Sequence, residues 1–134
     1  MKVKDYEKSL FWQLLDIKVR SSGPGRAELG MRTVDEHTQL AGVVHGGAVA
    51  SLIDSAVAAA IGGLEMPKIG MATIEMKVNY LAPVLPGDEL VADARIIQNG
   101  RKIVVGTVEV FNQKRHLVAF GTATYMIKTP PSEN

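Results

Sequence analysis

Across residues 72–80 the chain alternates without a break: Ala72, Ile74, Met76, Val78 and Tyr80 are apolar, and Thr73, Glu75, Lys77 and Asn79 are polar. A period of two predicts a strand with one packed side and one wet or ligand-facing side. Pro83, Pro86 and Gly87 end it. Residues 89–97, 102–111 and 117–127 are rich in valine, isoleucine and threonine and read as three further strands. Between the first two of these, Asn99-Gly100 signals a tight hairpin whose central residues both take positive φ. Residues 112–115 supply the next turn. Earlier in the chain, residues 17–21 and 26–31 flank Gly23-Pro24-Gly25 as a short hairpin.

Two segments follow the helical period instead. Tyr6, Leu10 and Leu14 recur every fourth residue beside Phe11 and Leu15, predicting an N-terminal helix within residues 1–16 that packs on the outside of the domain. Residues 48–61 are apolar on every side and dominated by alanine, and Gly62-Gly63 stops them, so a helix buried all round is expected. The order is then helix, short hairpin, buried helix and a four-strand antiparallel meander. This is α+β logic, an antiparallel curved sheet wrapped around a central buried helix. Residues 1–134 read as a single domain without internal repeats, and 129–134, with Pro130-Pro131, as a flexible tail.

Composition narrows the function. Fifteen basic and 14 acidic residues leave a net charge of +1, which argues against a nucleic-acid partner or a polybasic membrane patch. Without cysteine there is no disulfide, thiolate metal site or cysteine nucleophile. The apolar stretch before residue 16 is short and followed by charge, unlike a signal peptide, and the helix at 48–61 is too short to span a bilayer. A cytoplasmic protein is expected.

Candidate chemistry gathers at Gly42-Val43-Val44-His45-Gly46-Gly47, which opens the apolar helix. Adjacent glycines let a ligand approach the backbone, and the first helical turn offers unpaired N–H groups to an oxygen gaining negative charge. Asp54 is the one ionisable side chain in the helix body, and burying a carboxylate is costly unless something compensates it. Its two readings are a reacting acid and a structural acid satisfied by hydroxyls such as Ser51. His45 reads as a residue that holds the loop, and His37 and His116 as loop or turn residues. Asp35, Glu36 and His37 lack the second cluster that a metal site would need, so no metal is expected.

These residues, together with the block Thr73-Ile74-Glu75-Met76-Lys77-Val78-Asn79-Tyr80-Leu81-Ala82-Pro83, resemble the hotdog-fold acyl-coenzyme A thioesterases, in the phenylacetate-pathway or PaaI-like branch. The resemblance covers nearly the whole chain. It implies hydrolysis of an acyl-CoA thioester by a homodimer or a dimer of dimers, with no cofactor beyond the coenzyme A of the substrate. In such enzymes the backbone N–H at the position of Gly46 polarises the carbonyl, the acid at Asp54 is nucleophile or general base, Thr73 orients the acid or the water, and the amide at Gln39 lies near the thioester. The pairing of Gln39 with an aspartate departs from the usual asparagine with aspartate. His45 and Gly47 belong to the substrate-binding loop, and Tyr80 flanks the pantetheine arm.

Helix geometry then sets a limit. Gly47 and Asp54 are seven residues apart, roughly 10 Å along a helix axis, whereas attack needs reacting atoms about 3 to 3.5 Å apart. Two subunits with antiparallel central helices would bring Asp54 of one beside Gly46 of the other, giving two composite sites per dimer. For the coenzyme A phosphates the best basic cluster is Arg101-Lys102 beside Gly100, with Lys114-Arg115 and Lys128 as weaker candidates. The competing functions are a non-catalytic acyl-CoA binding module and a hotdog dehydratase or hydratase. The latter usually needs a histidine in a different motif.

Overall fold

The structure, a computed structural model, describes residues 2–131; positions 132–134 of the expected tail lie outside the described residues. One antiparallel sheet is built from β1 (Ile17–Gly23), β2 (Arg26–Arg32), β3 (Gly70–Tyr80), β4 (Glu89–Asn99), β5 (Ile103–Phe111) and β6 (Leu117–Lys128), in the order β1-β2-β4-β5-β6-β3. It curves around α2 (Gly46–Gly62). The expected hairpin is β1–β2, and β2 joins the main sheet by pairing with β4. The expected four-strand meander is only three strands long. After β3 the chain passes across to β4, and β3 pairs instead with β6 at the far edge. Alternation within a strand specifies its faces and carries no record of its partner.

The core lies between α2 and the inward rows of the sheet. Ala27, Leu29 and Met31 on β2, Leu90, Ala92 and Ala94 on β4, Val104, Val108 and Val110 on β5, and Ala119, Ala123 and Ile127 on β6 meet Leu52, Ile53, Val57 and Ile61 of the helix, all buried. Two glycines set how closely the helix sits. A Cβ at Gly106 would lie 2.9 Å from Val57, and one at Gly121 would lie 2.9 Å from Ile53 and 3.1 Å from the Lys77 carbonyl. The helix is not buried all round: Gly47 is exposed and Ala50, Ser51, Asp54 and Ala58 are half-buried, a stripe of small residues interrupted by one acid. No helix among the described residues is long and apolar enough to cross a membrane.

The N-terminal segment departs from the single outer helix predicted for it. A 3-10 helix, Val3–Lys8, ends at Ser9, whose side chain caps the short α1 (Leu10–Leu15) by accepting the Trp12 N–H at 3.4 Å. Serine is a strong N-cap, so the chain restarts there and the helical phase changes. Trp12 turns inward and stacks edge-on against Tyr6, while Leu10 and Leu14, the expected packing stripe, are 78% and 75% exposed. Glu7 fastens the segment to the sheet by accepting the Val19 N–H at 2.7 Å. Burial pushes the Glu7 carboxyl up, but the Val19 N–H and the Lys4 ammonium 3.0 Å away outweigh it, and the group is held below its ordinary value.

The β4–β5 hairpin forms where expected, but neither Asn99 nor Gly100 takes positive φ. The connection runs through Gly100, Arg101 and Lys102, with the Gly100 N–H on the Ile103 carbonyl at 2.9 Å. Glycine is needed there because a Cβ would lie 2.6 Å from that carbonyl oxygen.

Two outcomes follow from this packing. Gly121→Ala forces a methyl between Ile53 and the β3 backbone, and urea unfolding is expected to show a loss of about 1–3 kcal/mol. Because the Glu7 carboxyl is easier to ionise in the folded protein, its contribution is present above the usual glutamate range and is lost as pH falls through it. The Tm difference between the native protein and Glu7→Gln should therefore shrink between neutral pH and pH 3.

Candidate active site

The loop before α2 is tied down from three directions. The Val44 N–H donates to the Val84 carbonyl and the His45 N–H to the His37 carbonyl, both at 2.8 Å, and Thr38 bridges to Val44. His37 is itself buried: its Nδ1 accepts the Val34 N–H, and its Nε2 meets the Leu14 carbonyl at 3.2 Å. Gly42, at φ +87, closes the turn that begins at Gln39. His45 is the N-cap of α2, and its Nδ1 accepts the Gly47 N–H at 2.7 Å. A Cβ at Gly47 would lie 2.9 Å from that nitrogen. With the Gly47 donor taken by His45, the Gly46 N–H has no protein acceptor among the described residues. It is the first N–H of the helix, where the dipole favours negative charge.

Tyr80 packs on the same residue. Its hydroxyl donates to the Gly46 carbonyl at 2.8 Å, and its ring stands where a Gly46 side chain would be, 3.0 Å from an ideal Cβ. Gln39, Gly46 and Tyr80 share a cavity of about 370 Å³ with Val43, Val49, Leu81, Pro83 and Val118. The Gln39 side chain is folded back within its own loop, where its Oε1 accepts the Ala41 N–H.

Asp54 lies elsewhere. Its Oδ1 accepts the Thr73 hydroxyl at 2.7 Å and the Tyr125 hydroxyl at 2.6 Å, and the Tyr125 hydroxyl also lies 3.0 Å from the Asp54 main-chain carbonyl. Ser51, the expected satisfier of a structural acid, donates instead to the Gly47 carbonyl at 2.7 Å. Strict alternation sets Thr73 on one face with Glu75 and Lys77, the wet or ligand-facing side, and the structure separates them. A bulge between Thr73 and Glu75 shifts the register, so Thr73 opposes the inward Tyr125 whereas Glu75 opposes Thr124. An extra residue in a strand reverses the facing of everything beyond it. Met71 and Thr73 thus face the helix before the bulge, and Met76, Val78 and Tyr80 after it.

Tyr125 was not among the residues singled out from the sequence, because a tyrosine in a strand-like run reads as a strand former. One signal was present: in the inward row Ala119, Gly121, Ala123, Tyr125 and Ile127 it is the single polar side chain. Burial first, then the Asp54 carboxylate, raises the ionisation of its phenol far above the ordinary range.

The basic candidates divide. Arg101, Lys102 and Lys128 line one depression with Met71, Ala72, Ile74 and Met126 at the Gly70 end of β3. Lys114 and Arg115 sit in the β5–β6 turn, at the opposite end of β5. Among the described residues no three His, Asp or Glu side chains converge as metal ligands. The candidates therefore form two separate groups. Gln39, His45, Gly46, Gly47 and Tyr80 are at the start of α2, and Asp54, Thr73 and Tyr125 lie two helical turns on, towards the basic cluster.

Comparison with known proteins identifies the family. Residues 41–119, which hold the loop, α2 and most of the sheet, match the thioesterase superfamily model. Human acyl-coenzyme A thioesterase 13 is 28% identical over 81% of this chain and 77% of its own. The structure of PaaI from the Escherichia coli phenylacetic acid degradation operon superposes with a TM-score of 0.84 at 25% identity, covering 91% of this chain and 86% of PaaI. Streptococcus mutans smu.793, solved bound to acetyl CoA, superposes at 0.78 with 26% identity, covering 87% and 91%. With its six-stranded sheet around one long helix and a thioesterase match over more than half its length, the chain belongs to the thioesterase superfamily, among the PaaI-like hotdog acyl-CoA thioesterases.

Proposed function

We propose that this thioester hydrolase assembles its reaction site from two chains, with Gly46 of one polarising the thioester carbonyl and Asp54 of the other acting on it. The observation that carries this reading is the separation of the two groups. They lie eight residues apart in one continuous helix, about 12 Å along its axis, beyond the reach of an aspartate side chain.

The sheet supports the same arrangement. β3 is an 11-residue edge strand with one side unpaired, and Ile74, Met76, Tyr80 and the following Leu81 are exposed on or beside it. A long apolar edge is a template for pairing with another chain. Two β3 strands paired antiparallel about a two-fold axis would set the Tyr80 end of one against the Thr73 end of the other. In a single chain those ends are about 20 Å apart. The stripe of exposed Gly47 and half-buried Ala50, Ser51, Asp54 and Ala58 leaves α2 a small-residue face for the partner's helix. A homodimer, or a dimer of such dimers, then holds Gly46, Tyr80 and Gln39 opposite the partner's Asp54, Thr73 and Tyr125.

In this site the thioester oxygen accepts the Gly46 N–H at the positive end of the helix dipole, which stabilises the oxyanion as it forms. The Asp54 carboxylate acts by one of two balanced routes. It attacks the carbonyl carbon itself, the C–S bond breaks, coenzyme A leaves as thiolate, and water then cleaves the mixed anhydride. Alternatively it takes a proton from a water whose oxygen attacks, and the proton passes to the departing thiolate. Tyr80 holds the Gly46 peptide and flanks the pantetheine arm. His45 and Gly47 keep the donor loop in shape, and Arg101 and Lys102 beside Gly100, with Lys128, supply charge for the phosphates. No metal or separate cofactor takes part in either route.

Free thiol release is expected from at least one member of a panel of short, long and aromatic acyl-CoA esters, and Asp54→Ala should abolish it. Binding without release from every ester would favour a binding module, and water addition to an enoyl ester would favour a hydratase. Activity of the native protein should fall on acidification, and an acidic limb unchanged in Asp54→Asn would contradict the assignment.

The donor can be tested separately. Proline suits the first position of a helix, and His45 at ψ 134° has the extended backbone that precedes it. Gly46→Pro removes the N–H, whereas Gly46→Ala adds a Cβ against Tyr80 and keeps it. The proline variant is expected to have a kcat about 10²- to 10³-fold below the alanine variant, and equal rates would rule the donor out.

A further inference from the structure

Asp54 is held from one side. The two side-chain hydroxyls that reach its carboxylate, on Thr73 and Tyr125, both end on Oδ1 at 2.7 and 2.6 Å, and among the described residues no group donates to Oδ2. A carboxylate oxygen offers about two lone-pair directions. Two donors therefore occupy Oδ1, and the unshared basicity of the group is left on the other oxygen.

We propose that Tyr125 is a positioning residue for the hydrolysis: together with Thr73 it pins Oδ1 and presents Oδ2 as the oxygen that attacks the thioester or takes the proton from water. This rests on the reading of Asp54 as the reacting acid given above.

The contact goes beyond what burial of a phenol requires. Tyr125 is 4% exposed, and a single acceptor would satisfy its hydroxyl. The Asp54 main-chain carbonyl at 3.0 Å would serve, yet the phenol oxygen is closer to the carboxylate, at the length of a charge-assisted bond. An aspartate carboxyl turns easily about its last torsion. Donors from two strands remove that freedom, Thr73 from β3 and Tyr125 from β6, at positions directly opposed in the register. The bulge after Thr73 is what brings the first of them to the helix side. Burial and the adjacent carboxylate keep the phenol protonated well above neutral pH, so Tyr125 donates throughout the working range and does not compete as a base.

The test is steady-state kinetics of thiol release across pH for the full-length native protein and for Tyr125→Phe, Thr73→Val, Thr73→Ser and Asp54→Ala, with Tm recorded for each. Tyr125→Phe keeps the ring and removes one donor. Its kcat is expected to fall about 10- to 100-fold with KM within about twofold. Its acidic limb should move to higher pH, because a carboxylate that loses a donor is harder to ionise. Thr73→Val should shift the limb in the same direction, and Thr73→Ser should restore it. A Tyr125→Phe protein with lowered Tm but unchanged kcat and limb would overturn the proposal and leave a packing role. If Tyr125→Phe does not fold, the Thr73 pair decides: no difference between valine and serine in kcat or limb overturns it. Full activity in Asp54→Ala would instead overturn the underlying reading of Asp54, and the proposal with it.

Discussion

The rise of an α-helix, about 1.5 Å per residue, fixes the distance between Gly46 and Asp54 more firmly than any side-chain contact in the molecule. Both residues belong to α2, and the helix runs through them without a break. A donor at its first residue and an acid two turns later cannot converge on one carbonyl. The rest of the structure holds the two groups rigid and, in the arrangement proposed above, leaves each open towards a second chain.

Rigidity comes from the seat of the helix. Gly106 and Gly121 let α2 lie directly on β5 and β6, where a single added carbon would meet Val57 or Ile53 at 2.9 Å. Close-packed interiors transmit displacement, so this contact fixes the height of Asp54 above the sheet and hence its distance from Tyr125 and Thr73. At the other end the His37 and Val84 carbonyls hold the loop, His45 takes the Gly47 donor, and the Gly46 donor has no protein acceptor among the described residues. Openness comes from β3. As an edge strand it offers its backbone to a partner, and its bulge turns Thr73 inward to the acid while leaving Glu75 and Lys77 outside.

Periodic features were legible in the sequence. The alanine-rich run gave α2 within two residues at its start, the glycine-proline-glycine turn gave the β1–β2 hairpin, and valine-rich alternation gave β4, β5 and β6. Gly46, Asp54 and Thr73 could be chosen from the sequence because glycines before a helix, a lone acid within it and a resembling strand block are local signals. What escaped was non-local. The pairing of β3 with β6 depends on the curvature of the whole sheet, and the bulge at Thr73 is invisible in a run whose polar and apolar residues alternate perfectly. Tyr125 meets Asp54 only across the fold, from β6 to α2. The break at Ser9 is a different case, since serine before an apolar turn is a capping signal that the longer four-residue period masked.

The composite site is the central claim, and complementation between two inactive chains tests it most directly. Asp54→Ala and Gly46→Pro chains, each inactive alone, are unfolded together, refolded as a mixture and assayed for thiol release. In a mixed dimer one site carries both lesions and the other carries neither. With half the dimers mixed and one intact site in each, activity should recover to about a quarter of the native value. Activity no greater than that of the two parents refolded separately, in a mixture shown to contain mixed dimers, would contradict the account and place the whole site within one chain.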